Sequence, residues 1–77
     1  MRGVASKIFP NVVWISIGSG VRAETKSLVL LLTKVHVHRY RCSATGVIGY
    51  IVATGITPEA ALLSMRRKLV RRAITAK

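Results

Sequence analysis

Tyr50-Ile-Val-Ala-Thr-Gly-Ile-Thr-Pro-Glu-Ala-Ala-Leu62 decides how this chain folds, because it holds a strand, its stop and a helix start in one segment. Thr57 can accept hydrogen bonds from the orphan N–H groups of a first helical turn. Pro58 suits the first helical position, and Glu59 complements the positive end of the helix dipole. The pattern predicts a helix over 58–75. At about 100° per residue, Leu62, Met65, Leu69 and Ala73 form one stripe with Leu63, Val70 and Ile74 beside it, an apolar face for packing on a sheet. Ser64, Arg67, Lys68, Arg71 and Thr75 lie opposite, with Arg72 at the flank. Arg66 falls between the apolar stripes, where it either snorkels at the helix edge or points into a partner's surface.

Working back from the helix, the chain reads as strands. Val47-Ile-Gly-Tyr-Ile-Val-Ala53 is one, stopped by Thr54-Gly55 and preceded by a turn at Ser43-Ala-Thr-Gly46. Asn11-Val-Val-Trp-Ile-Ser-Ile17 has the β-branched and aromatic bias of another, and Gly18-Ser-Gly20 closes it. Val21 to Lys26 reads as a polar connection. From Leu28 to Cys42 no Gly or Pro interrupts the run, so it is either one long bent strand or two strands meeting near Thr33 and Lys34. Alternation within it places Val35, Val37, Arg39 and Arg41 on one face and His36, His38, Tyr40 and Cys42 on the other. The expected class is α+β: a three- or four-stranded antiparallel sheet followed by one C-terminal helix (β-β-β-α). It occupies a single domain over 1–77, with 1–10 a basic N-terminal arm rather than a transit peptide.

Leu28 to Leu32 is apolar on both faces and Val12 to Ile17 nearly so. One helix about 27 Å long covers a single face of a small sheet. The other face is expected to be buried by self-association or in a larger assembly, or by the N-terminal arm folding back over it.

Composition sets the class of partner. The 77 residues are 51% apolar and 19% charged, the opposite of a disordered basic tail. Thirteen Lys and Arg face only two carboxylates, Glu24 and Glu59, for a net charge of +11. Six of those cations, Arg66, Arg67, Lys68, Arg71, Arg72 and Lys77, sit in the last twelve positions. Such an excess must meet solvent, phosphate or another anionic partner. A lone Cys42 cannot form an intrachain disulfide. This points to the cytoplasm or nucleoid, or the inside of a virion or ribonucleoprotein particle, rather than to secretion. The longest apolar run, Leu28 to Leu32, falls far short of the roughly 20 residues of a membrane span.

Catalytic constellations are thin. With no Asp and two Glu, paired-carboxylate chemistry and Asp-supported triads have nothing to build on, so the chain is expected not to be an enzyme and to need no cofactor. His36, His38 and Cys42 share a strand face, but no fourth ligand or second short-spaced pair accompanies them, and no metal is expected. Gly18-Ser-Gly20 lacks the later Gly and Lys of a phosphate-binding loop and reads as a turn.

The Tyr50 to Leu62 segment resembles the strand-to-helix junction of HicB-type antitoxins, in which a strand ends in Gly, then Thr-Pro-Glu, then an Ala/Leu-rich helix. That resemblance implies a three-stranded module that binds a small toxin. The β-β-β-α order is also similar to double-stranded-RNA-binding domains and to AP2-type or integrase N-terminal DNA-binding domains. Here Thr57-Pro58-Glu59 stands where the RNA-binding family places lysines, and the cations follow one to four turns later.

The residues themselves point to non-enzymatic contact with the phosphate backbone of DNA or RNA, salt-sensitive and largely independent of sequence. Arg66, Arg67, Lys68, Arg71 and Arg72 would supply the helix surface. Lys34, Arg39 and Arg41 would supply a strand surface, where Tyr40 could stack on an unpaired base. The alternatives are a structural subunit of a virion or ribonucleoprotein particle, and an antitoxin-like inhibitor of another protein. A homo-oligomer or larger assembly is expected in the first two readings.

Overall fold

Val21 and Ala23 are buried, while Arg22 and Glu24 alternate with them on the other face. This period of two makes a strand of a segment whose charges suggest a loop. The computed structural model describes residues 2–75, with side chains through Arg72. Its elements are α1 (Arg2–Ile8), β1 (Trp14–Ile17), β2 (Gly20–Glu24), β3 (Leu28–His36), β4 (Arg39–Gly46), β5 (Gly49–Gly55) and α2 (Pro58–Thr75). The strands form one antiparallel sheet in the order β1-β2-β3-β4-β5. The class is α+β as expected, with five strands rather than three or four.

Each hairpin departs from the expected boundaries for a local reason. Ile17 pairs with Gly20 across a two-residue turn in which Gly18 takes a φ of +40°, so Gly18-Ser19 opens β2 rather than merely ending β1. Leu28 to Cys42 is two strands. They turn at Val37 and His38, beyond Thr33 and Lys34, with a bulge between Lys34 and His36. The expected turn at Ser43 to Gly46 is instead the end of β4, where Ser43 pairs with Val52 and Thr45 with Tyr50. The chain reverses at Val47 and Ile48, and Gly49 takes a φ of +97° immediately after.

One face of the sheet carries Trp14, Val21, Ala23, Leu30, Leu32, Cys42, Ala44, Ile51 and Ala53, all buried. α2 covers this face over β5 and β4, burying Ala61, Leu62 and Met65. The segment expected to be a basic arm is α1. It packs on α2 and β1 and adds Ala5 and Ile8 to the same core, so that among the described residues neither helix covers the opposite face. The helix start is built as the sequence predicts, with Thr57 Oγ1 accepting from Ala60 N at 3.0 Å. The apolar stripe is shorter than expected: Leu63 and Leu69 are half-buried and Val70 is exposed, because by Arg72 the helix has drawn level with the turn that ends the sheet. The expected helix-face positions Ala73, Ile74 and Thr75, and the cation Lys77, lie outside the described side chains. Among the described residues no helix is long and apolar enough to cross a membrane.

Candidate nucleic-acid interface

β5 is an edge strand, so every second residue turns a backbone N–H and C=O away from the ladder. Two cations of α2 occupy that edge. Lys68 Nζ donates to the Val52 carbonyl at 2.7 Å, and Arg72 Nη1 donates to the Ile48 carbonyl at 3.2 Å. Helix and strand enclose a groove of about 360 Å³ lined by Tyr50, Ile51, Val52, Lys68, Arg71 and Arg72. A smaller hollow of about 230 Å³ continues around the outer side of the helix between Ser64, Arg67, Lys68 and Arg71. Arg67, Lys68, Arg71 and Arg72 therefore form one exposed band, as the helical spacing predicts. Arg66 is exposed as well.

The sheet contributes the other lip of the groove. Tyr50 is 57% exposed, and its hydroxyl accepts from Arg41 Nη2 at 2.7 Å. Arg41 thus joins the band through a ring that the sequence pattern does not single out. Tyr40, the ring expected to stack, is half-buried against the core, opposite Gly55. Strand parity separates the two tyrosines: Tyr50 shares a face with Arg41, whereas Tyr40 shares the helix-covered face with Cys42.

Lys34 and Arg39 lie elsewhere. They flank the turn at Val37 and His38, at the end of β4 remote from the α2 cations and separated from its other end by roughly 23 Å. Arg39 lines a hollow of about 190 Å³ there with His38, Thr54, Gly55 and Ile56. The same turn breaks the face that His36, His38 and Cys42 were expected to share. Both histidines are exposed, while Cys42 is fully buried and the pKa of its thiol is pushed up to about 12 by burial.

Among the described residues, the two glutamates stand away from the band. Glu24 Oε1 pairs with Arg22 Nη2 at 3.2 Å on β2, and Glu59 stands in the first turn of α2. Neutral carbonyls therefore orient Lys68 and Arg72 without cancelling their charge, and each head group keeps further donors for another acceptor. No known protein family, curated protein or solved structure matches the chain.

Proposed function

We propose that the chain binds the phosphate backbone of nucleic acid, without chemistry of its own, along the groove between α2 and the β5 edge. The observation that carries this reading is the anchoring of Lys68 and Arg72 on the Val52 and Ile48 carbonyls. Two long side chains that would otherwise lose rotamer freedom on binding are already held in place with their charge intact. Arg67 and Arg71 extend the same band, and Tyr50 offers an exposed ring at its lip. A cationic groove bordered by an aromatic ring suits a backbone track with a base stacked beside it.

Replacing Arg67, Lys68, Arg71 and Arg72 together with Gln tests the reading. Gln removes the charge, and the two hydrogen bonds to the carbonyls are exposed, so the fold is expected to persist. Titration of a labelled single strand and of a labelled duplex at several salt concentrations should show much weaker binding of whichever the wild-type chain holds. The log–log salt slope should be shallower by up to about 0.9 for each phosphate that the variant no longer neutralises. A variant that folds and binds with the same slope would overturn the assignment.

A further inference from the structure

We infer that two copies of this chain join through their β1 strands into one continuous antiparallel sheet, with Ile15 meeting the partner's Ile15 across a twofold axis. The two edges of the sheet are unequal. Natural sheets block exposed edges with charge, and here β5 has Lys68 and Arg72 laid along it. β1 carries no charge, and none occurs from Ile8 through Val21.

Hydrogen-bonding parity identifies the groups that β1 offers. The Val52 carbonyl points out of the ladder toward Lys68. In an antiparallel sheet, pairs that exchange hydrogen bonds alternate with pairs that do not. From Val52, register leads to Ser43, Leu31, Arg22 and Ile15 in turn. Ser43 must therefore bond Leu31, and Arg22 must bond Ile15. Trp14 and Ser16 are left with N–H and C=O directed outward from β1. In a symmetric pair, Trp14 exchanges two hydrogen bonds with the partner's Ser16, and Ser16 does the same with the partner's Trp14.

The side chains fit this register. Val13, Ile15 and Ile17 share the face that no helix covers and are 80%, 53% and 38% exposed. Centring the pair on Ile15 sets Val13 against the partner's Ile17 and Ile17 against the partner's Val13. All three cross-strand contacts are then between β-branched apolar residues, a favourable pairing on a pleated surface. Charge supports the same geometry. β1 and β5 are four strand spacings apart, about 19 Å, so joining β1 to β1 places the two α2 cation bands at the far ends of a ten-stranded sheet. Joining β5 to β5 would bring them together.

The test is sedimentation equilibrium of the full chain over a dilution series, without nucleic acid, so that its outcome is independent of the nucleic-acid reading. The wild-type chain should form a dimer that dissociates on dilution. Ile15→Lys places a charge at the twofold axis on a side chain that is already exposed. Ser16→Pro removes an N–H that the monomer's own ladder does not use. Each should raise the dimer dissociation constant about tenfold or more while the circular dichroism spectrum is retained. If Ser16→Pro does not fold, Ile15→Lys alone decides. A wild-type chain that stays monomeric throughout overturns the inference and leaves the edge to a strand of another protein. A dimer that persists unchanged in folded Ile15→Lys overturns it equally.

Discussion

On the β5 side, Val52 and Ile48 offer carbonyls that Lys68 and Arg72 already hold; at the β1 edge, Val13, Ile15 and Ile17 stand exposed on a strand with no charge of its own, and the neighbouring Arg22 on β2 is paired with Glu24. The same cations thus act in two ways, presenting positive charge to solvent and occupying backbone groups that another strand would otherwise take. Where the sheet carries its charge, one outward carbonyl of β5 and one of the turn before it are already taken, which disfavours strand addition. Where it lacks charge it remains open.

Three changes probe this contrast, in order of expected size. Gly55→Ala should be the most damaging, because a Cβ there would lie 2.6 Å from Ala61 N and 2.8 Å from Ala60 Cβ, where β5 passes into α2. Backbone atoms cannot swing aside, so the helix must shift off the edge it guards. A loss of about 3 kcal/mol is expected in urea unfolding. A near-neutral result would mean that the helix can slide without cost.

Replacing Lys68 and Arg72 with Ala should cost less, about 1 kcal/mol in the same assay, since both hydrogen bonds are exposed. Its clearer effect should be a second mode of self-association, one that Ile15→Lys does not remove. If sedimentation shows no new species, the two cations do not protect the edge. Smallest of all should be Trp14→Phe. Trp14 is buried beside Phe9, with ring centroids 6.2 Å apart, and its indole N–H has no acceptor among the described residues. Removing an unsatisfied donor offsets part of the reduced packing, and the unfolding free energy should change by less than about 1 kcal/mol. A loss of several kcal/mol would show that the N–H is satisfied after all.

Local chemistry makes part of this molecule legible in its sequence. The start of α2 uses Thr57, Pro58 and Glu59, whose roles depend on near neighbours, and the helix runs over the expected residues. The cation band on its outer side follows from helical spacing alone. β2 is equally local, since Val21 and Ala23 alternate with Arg22 and Glu24 directly after a Gly-Ser turn, but two charges in a short segment obscure the period. α1 carries no acidic residue in its first turn and has seven residues, too few to be stable alone, so packing against α2 and β1 is what forms it.

The site is less legible because its decisive contacts are distant in sequence. Lys68 reaches Val52 and Arg72 reaches Ile48 across 16 and 24 positions, so no window of the chain reveals that the edge strand orients these cations. The exchange of Tyr40 for Tyr50 as the exposed ring has a similar origin. Each tyrosine's face is fixed by where the hairpins turn, and the turn at Val37 and His38 bears none of the Gly, Pro or Asn that mark most turns.

The sheet is a meander in which every strand neighbours the next in sequence. During synthesis, each hairpin can close as soon as its second strand has emerged, and folding proceeds from the N-terminal side first. The protection of β5 comes from residues 68 and 72, which are made after all five strands, and α1 must also wait for α2 before its apolar side is covered. A nascent chain therefore passes through a stage with both outer strands open at once. The interval between the completion of β5 and the docking of α2 adds to its exposure to misassembly.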